Sequence, residues 1–522
     1  MHPLHTCFRP RIKGRFLRQV IPLGLLTLVV CLHATLTRPR ARAVAGIPVA
    51  FWSWRKDAPS NEEWEHIRRQ TGATALFLRA GQFDNQKGAV RRIRASDKFF
   101  PTGGELHLTY NATRDMLREF ENIETTTLAR IIAETFAADL CCGEERRTRI
   151  SGLQLDFDVP TRLLPRYAAL LRQLRSLLTA GTKLSVTGLP TWMNAPDLGA
   201  MLAETDFWIP QLYGAEIPTR IDRRRPISSP AAIAAALERI QYLGKPCYAG
   251  LAAYGYAILY SAEGHLLALR GDLDPARVVA HPHLELIEQQ PFADTGGVDG
   301  QIASEWRYVY RATRDCVING LAIRGGEKLL LDLPDAAALR AGARIVRERA
   351  GEELLGICVF RLPSHDDATV LTLPEVAAAL QDQATRDETA VSATWSFEDG
   401  PNLNLYLDNP GSASALMGPG ALLVDIQLPP GSAKRIFDVR GVHSIETLCQ
   451  GPDEQTKFPC SRRLADVIRL HFFAWRPGDT AEIHIRVPEE MSFETIPATI
   501  IFRRTDGQRQ QQKITAPIGD GC

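Results

Sequence analysis

Asp156 and Asp158 stand two residues apart in the run Ser151-Gly-Leu-Gln-Leu-Asp-Phe-Asp-Val-Pro160, and this spacing is the chain's best material for acid/base chemistry. Leu153, Leu155, Phe157 and Val159 alternate with Gln154, Asp156 and Asp158, which predicts a strand, and side chains two apart in a strand share a face. One face therefore carries an amide and two carboxylates, the last of them just before a strand-ending proline. By strand geometry the two aspartates lie about 6–7 Å apart at Cα. In a partly dry cleft one ionised carboxylate raises the proton affinity of the other, and the pair titrates as a unit. Such a pair can hold one acid protonated near neutrality. Cleaving a glycosidic bond needs that proton for the leaving oxygen, and needs stabilisation of positive charge at the anomeric carbon. Asp158, nearer the mouth, is the better donor, and Asp156 the better electrostatic partner. The competing reading is an ordinary half-exposed strand with a polar face, which would win in an antiparallel sheet.

The neighbouring elements decide between the two. From Ile47 to about Pro363, short apolar runs alternate with amphipathic helical stretches. Strands are expected at Pro48–Trp54, Ala75–Arg79, Leu106–Tyr110, Gly152–Asp158, Leu184–Leu189, Phe207–Tyr213, Cys247–Ala253 and Gly356–Arg361. Helices are expected at Asn61–Thr71, Thr125–Leu140, Leu163–Thr179, Asp197–Glu204, Ser229–Leu243 and Ala336–Arg349, with Ser60 and Ser229 as caps. Eight strand–helix units with near-continuous apolar strands predict an α/β fold, a (β/α)8 TIM barrel over residues 46–365. A doubly wound open sheet is the alternative, but Trp52-Ser-Trp54 stands where a glycine-rich phosphate loop would follow the first strand. Tyr254–Leu333 has the character of an insertion, with a helix at Pro275–Gln289 and strands near Ile318–Arg324 and Lys328–Leu333. A connecting segment is expected over 366–392. Seven short strands separated by Gly/Pro turns then predict an all-β sandwich over 393–505, leaving a tail at 506–522.

Functional residues of such a barrel sit at the carboxyl ends of its strands. Those ends supply Trp52 and Trp54, Arg79, Tyr110, Asp156 and Asp158, Trp192, Gln211 and Tyr213, Tyr254, and Arg361. Flat rings offer apolar faces to sugar C–H groups, and carboxylates bind hydroxyls. Gln154, Gln211, Trp52, Trp54, Arg79, Trp192 and Tyr254 are accordingly substrate-binding candidates, although the three tryptophans serve equally well as core. A buried Arg79 needs a carboxylate partner, for which Asp156 is the candidate. Glu216 and Glu305 are secondary candidates with solvated loop charge as the plainer reading. His281 and His283 lack a third ligand, so no metal site is expected, and no other cofactor is required.

Gly152-Leu-Gln-Leu-Asp-Phe-Asp158 resembles the fourth-strand signature of chitinase-like glycoside hydrolases of family 18, in which three acidic positions alternate and the last is the catalytic acid. Gln154 falls on the first of these positions, Asp156 on the middle aspartate and Asp158 on the terminal glutamate. Gln211-Leu-Tyr213 resembles the sixth-strand motif of that family, which implies a catalytic supporting role for Tyr213. The stretch from about Val49 to Pro363 is still more similar to an export-associated bacterial family, domain-of-unknown-function family 3142, which implies a glycosidase-like barrel without an established substrate. The chain departs from the family 18 pattern at four places. Asp158 is one methylene shorter than glutamate, Gln154 cannot ionise, Gly214 stands where an acid or amide usually follows the tyrosine, and Ile357-Cys-Val-Phe-Arg-Leu-Pro363 has no tryptophan. Substrate-assisted cleavage of an N-acetylated sugar is therefore not implied.

Charge and cysteine usage set the compartment. Residues 1–45 hold eight basic residues and no acid; taking these from the 61 leaves 53 basic against 60 acidic residues, a net charge of −7. A mildly acidic body argues against nucleic acid as a partner, and Arg223-Arg224-Arg225 is better taken as loop charge. The basic stretch Arg9–Arg18, the apolar run Val20–Leu36 and Ala41-Arg-Ala-Val-Ala45 follow the order of an export signal or N-terminal membrane anchor. The remainder is expected outside the cytoplasm, in the periplasm or envelope, touching a membrane only through this segment. Export permits disulfides, and Cys449 and Cys460, flanking a polar turn, are the candidate pair; Cys247 and Cys358 suit a core. The sequence thus points to an exported glycosidase acting on a polysaccharide or oligosaccharide. A non-catalytic glycan-binding barrel and an envelope scaffold are the alternatives.

Overall fold

Each of the eight expected apolar runs forms a parallel strand. The computed structural model describes residues 46–520 except Lys56, Lys87, 96–99, Arg146, 215–217, 224–225, 292–305, 365–366, 398–399, 454–455, Glu490 and Ser492. The expected leader over 1–45, Glu216, Glu305, Arg224, Arg225 and Cys522 lie outside the described residues. From the amino end the strands are β1 (Val49–Ser53), β2 (Ala73–Gln86), β3 (Ala89–Ala95), β4 (Glu105–Ala112), β5 (Ile150–Asp156), β6 (Lys183–Gly188), β7 (Phe207–Pro210) and β8 (Cys247–Ala252). An insertion follows with β9 (Tyr256–Tyr260), β10 (Leu266–Arg270), β11 (Leu284–Pro291), β12 (Trp306–Ala312), β13 (Cys316–Ile318), β14 (Leu321–Ile323) and β15 (Lys328–Leu333), before β16 (Leu354–Phe360). All but β3 of the first group, together with β16, make one parallel sheet. β1 pairs with β2 on one side and β16 on the other, so the sheet closes into an eight-strand barrel. β3 folds back on β2 as an antiparallel hairpin.

Caps fix where the surrounding helices begin. The Ser60 side chain accepts from Glu63 N at the start of Asn61–Thr71, which Gly72 ends in a left-handed conformation (φ 71°). Ser229 caps Pro230–Leu243 in the same way. The last barrel helix is Leu373–Leu380, inside the segment expected to be a connector; it opens with a Thr372–Glu375 capping box and packs on Ala336–Arg349 and Asn61–Thr71. Its eight residues carry too little periodicity to announce themselves.

The barrel interior is filled in layers. At the floor, Phe77 stacks on His107 (4.7 Å between centroids) and meets Phe207 and Tyr248 edge-on. A Cβ on residue 152 would lie 2.7 Å from His107 Nδ1 and 2.4 Å from the Lys183 carbonyl oxygen, so only glycine fits at the start of the Gly152–Asp158 motif.

The insertion corrects one expectation. Helix Pro275–Val279 stops well short of Gln289, because Pro282 lacks an N–H and disfavours helix at His281. Leu284–Pro291 instead forms β11, paired antiparallel with β12. In the five-stranded antiparallel sheet β10-β9-β15-β12-β11 the inner strands β9, β15 and β12 are buried on both faces, while Leu267 and Leu269 of β10 and Ile287 of β11 are exposed. Ile258, Tyr260, Val309 and Leu330 pack into the barrel cluster that contains Trp52 and Tyr213. Leu259, Tyr308, Leu329 and Leu331 pack with Leu416 and Met417 of the following β region. At its centre Arg307 and Asp332 face each other across β12 and β15 as an ion pair of 2.7 Å, both buried.

Beyond the barrel lie β17 (Ala390–Ser396), β18 (Asn402–Asp408), β19 (Leu422–Gln427), β20 (Arg435–Arg440), β21 (Ser444–Gln450), β22 (Lys457–Pro459), β23 (Val467–Phe472), β24 (Thr480–Arg486), β25 (Thr495–Arg503) and β26 (Arg509–Asp520). Their inward residues, among them Leu405, Leu422, Ile426, Leu470, Ile483 and Ile500, form one apolar core, as in a sandwich. The expected tail is β26, which pairs antiparallel with β25 along its length and parallel with β17 at its end. Its polar start, Arg509-Gln-Gln-Gln-Lys513, hides a strand held by ladder hydrogen bonds. Cys449 and Cys460 are disulfide-bonded, with Cα atoms 5.7 Å apart, and Cys247 and Cys358 are buried thiols.

Removing one member of the Arg307–Asp332 pair takes from the other, a buried charge, its partner at 2.7 Å. Asp332→Ala is expected to cost roughly 3–5 kcal/mol in denaturant unfolding, whereas the double change Arg307→Met with Asp332→Leu should recover most of that loss.

Candidate active site

β5 ends at Asp156, and the chain then tightens: Val159 N bonds back to Phe157 O at 2.7 Å, and Trp192 Nε1 donates to Val159 O at 2.9 Å. Phe157 and Val159 are buried, Phe157 stacking on Tyr167 behind the strand. Anchors on both sides of Asp158 thus hold it at the open end of the barrel, where it is exposed to solvent. Asp156 sits one step deeper and is half-buried, accepting a hydrogen bond from Thr187 Oγ1 at 2.7 Å.

Both carboxyls hold their protons more tightly than usual. Burial is the largest cause for Asp156, followed by the charge of Asp158; the Thr187 hydrogen bond and the Arg79 charge work against them, and the balance puts its pKa at about 7. Asp158 is also raised by burial: it is open to solvent at the mouth, but protein packed around the rest of the carboxyl withholds water. The pair therefore retains a proton into the neutral range.

Directly beneath lies a hydrogen-bonded layer. Gln154 is buried, and its Oε1 accepts from Trp52 Nε1 (2.6 Å) and Thr109 Oγ1 (3.0 Å). Its amide nitrogen faces Ser185 Oγ at 3.5 Å. Gln154 and Trp52, expected to touch substrate, are instead interior packing that sets the height of Asp156. A neutral amide suits this place, since it satisfies two donors without burying a charge. Trp192 is likewise buried, edge-on to Tyr167 outside the strand ring, and positions Asp158 through Val159 rather than offering a sugar platform. Tyr110 points outward and donates to Asp139 Oδ2 at 2.6 Å, so the inward residue at the end of β4 is Asn111.

The remaining candidates converge at the mouth. Arg79 lies over the Trp54 ring (4.6 Å to its centroid) and donates from Nε to Asn111 Oδ1 at 3.3 Å, while Asn111 is register-paired with Asp156. Tyr213 stacks on Phe360 (5.9 Å, 14°) and meets Tyr254 edge-on (5.7 Å). Phe360 also contacts Trp52, Trp54 and Tyr254. Gln211, half-buried, continues β7 through a bridge to Gly250 and a bond from its N to Gly188 O (2.8 Å). Phe360, Thr187 and Asn111 are site residues that the sequence reading missed. The signal for Phe360 was available: it is the inward aromatic at the end of the eighth strand, where a tryptophan was sought. Among the described residues no group of three or more His, Cys, Asp or Glu is placed to hold a metal ion, and His281 and His283 pack edge-on, 5.4 Å apart.

The acid pair and aromatic rings lie at the carboxyl ends of the strands of a closed parallel barrel, the face on which barrel enzymes carry their sites. The sequence model of the family described as "Domain of unknown function (DUF3142)" matches residues 123–275, a stretch that runs through β5 to β8 and includes Asp156, Asp158, Tyr213 and Tyr254. No curated protein matches the sequence. Similar solved structures include the spore cortex-lytic enzyme SleL of Bacillus megaterium QM B1551, at 16% identity over 65% of this chain and 74% of that one, with a TM-score of 0.40. They also include a chitinase of Chromobacterium violaceum ATCC 12472, at 18% identity over 65% and 100% of the two chains, TM-score 0.40. The chitinase-like agglutinin RobpsCRA of Robinia pseudoacacia matches at 14% identity over 64% and 100%, TM-score 0.40. At these identities and scores no activity passes from them to this chain.

The raised Asp156 pKa makes stability depend on pH with a definite sign. An unfolded aspartate titrates near about 4, so folding with Asp156 protonated is favoured below that pH. The advantage is lost as pH rises through about 7. The thermal midpoint of the wild-type chain should fall more steeply between pH 4 and pH 8 than that of Asp156→Asn. Equal slopes would contradict the assignment.

Proposed function

We propose that the barrel hydrolyses a glycosidic bond in a polysaccharide outside the cytoplasm, with Asp158 protonating the leaving oxygen. At neutral pH the pair's remaining proton sits on the recessed Asp156, which passes it to Asp158, and Asp158 delivers it to the leaving oxygen as the glycosidic bond breaks. The Asp156 carboxylate so formed stabilises positive charge at the anomeric carbon, and water adds there and returns a proton to the pair. The observation that carries this reading is the pair of proton-holding carboxylates at the barrel mouth, one solvent-facing and one recessed, beside an aromatic wall of Trp54, Phe360, Tyr213 and Tyr254. Trp54 and Phe360 supply flat apolar faces for a sugar ring, and Arg79, Asn111 and Gln211 supply donors and acceptors for its hydroxyls. Tyr213, held by stacking and with its phenol kept protonated by burial, is a donor to a substrate oxygen. The leader expected at 1–45 would deliver the barrel to an extracytoplasmic glycan.

A second reading, a glycan-binding barrel without turnover, is favoured by one specific feature: Gln154 has both ends committed to the interior and cannot pass a proton to Asp156. The two readings separate in a single experiment. Under the hydrolase reading, incubation with a broad panel of oligosaccharides releases new reducing ends, detected by mass spectrometry. The rate falls as pH rises past about 7, and Asp158→Asn lowers it by about 100-fold or more while the substrate still binds. Binding without cleavage by the unaltered chain would leave the second reading standing.

A further inference from the structure

A cavity of about 590 Å³ lies away from Asp156 and Asp158, where the insertion, the last barrel helices and the β-sandwich meet. Its volume is that of a small-molecule site, and seams between packed layers are where such sites concentrate. β12 contributes the rings of Trp306 and Tyr308. The barrel contributes Asp335 and Arg340, and the sandwich Arg476 and Asp479. These polar groups are held in place. Asp335 Oδ1 accepts from Ala337 N at 2.6 Å, Arg476 donates to Val370 O at 2.5 Å, and Arg476 N donates to Asp479 Oδ2 at 2.7 Å. Trp306 is fixed by its Nε1 bond to Thr505 O at 2.5 Å.

The composition points to one kind of ligand. Five carboxyls and three guanidinium groups line the wall, and Arg504 pairs with Asp387 (3.0 Å) and Asp506 (3.6 Å), so acceptors for ligand hydroxyls outnumber donors. Planar donors and acceptors held in place beside the apolar side chains of Val370, Leu371, Leu416 and Met417, with Trp306 and Tyr308 largely buried in the wall, suit a neutral, polyhydroxylated molecule with apolar faces, which is a sugar. The small side chains Ala413, Ser414 and Ala415 leave the floor open.

The cavity also shares a wall with the barrel mouth. Val370 and Leu371 line it, and the same strip holds the mouth from behind. Leu371 N bonds to Ala253 O (2.9 Å), Val370 bridges Tyr254, and Thr369 Oγ1 accepts from Arg361 (2.8 Å).

We propose that this seam cavity is a second, non-catalytic saccharide site, separate from the barrel mouth and backed by the same 368–371 strip. The proposal rests on the glycan reading of the protein but not on turnover. Its test uses the full chain carrying Asp158→Asn, titrated calorimetrically with β-1,4-linked tetramers of N-acetylglucosamine and of glucose. Two binding sites per chain are expected for at least one tetramer. Filling the cavity from its exposed edge with Ala384→Trp, or independently with Ala337→Phe, should remove one of them and leave the other. Trp54→Ala should remove the second. A single site that survives both fillings and vanishes with Trp54→Ala overturns this proposal alone. A cavity site in a chain whose unaltered form cleaves nothing overturns the hydrolase reading alone, and no binding of either tetramer overturns the cavity proposal.

Discussion

Two neighbouring carboxyl groups, Asp156 recessed at the end of β5 and Asp158 on the open rim, form the constraint around which the barrel is arranged. Ionising both Asp156 and Asp158 sets burial and mutual repulsion against one hydrogen bond and one neighbouring cation, and the first two win for Asp156. Everything below the pair serves to keep it there. The ring-filled floor of Phe77, His107, Phe207 and Tyr248 excludes water from the lower barrel. The Trp52–Gln154–Thr109 layer sets the height of the carboxylates, and Thr187 fixes the orientation of the inner one. The insertion sheet, braced internally by the Arg307–Asp332 ion pair, closes one side of the mouth by packing against the cluster that holds Tyr213.

The departures from the chitinase-like pattern make physical sense in this setting. An ionisable residue at position 154 would be sealed in the barrel with two donors already pointing at it; the amide satisfies both and stays neutral. Phe360 occupies the end of the eighth strand where a larger ring was sought, and four other aromatic side chains crowd around it. Asp158, one methylene shorter than glutamate, stands exposed on the rim because the chain bends sharply after Phe157.

Much of this was legible in the sequence because strands buried on both faces read as apolar runs. All eight barrel strands, most of their helices and the caps at Ser60 and Ser229 declare themselves locally. The alternation through Gly152–Asp158 likewise gave the face shared by Gln154 and Asp156, whereas Asp158 lies beyond the strand's end at Asp156, in the turn that follows. What escaped depended on partners far away in the chain. Whether a strand-end ring faces inward or outward turns on one residue of register: Trp192 and Tyr110 point away from the mouth, while Asn111 and Phe360 point into it. β26 was hidden because backbone pairing rather than apolar side chains holds its first half, and the Leu373–Leu380 helix because it is short. The break at Pro282 was readable and outweighs the helical pattern around it.

The shared proton is most directly tested by ¹³C NMR titration of the aspartate carboxyls, assigned with Asp156→Asn and Asp158→Asn. The account predicts a signal for Asp156 that titrates near 7 and moves toward the ordinary carboxylate range when Asp158 is made neutral. Two independent titrations near about 4, each indifferent to the other substitution, would contradict it.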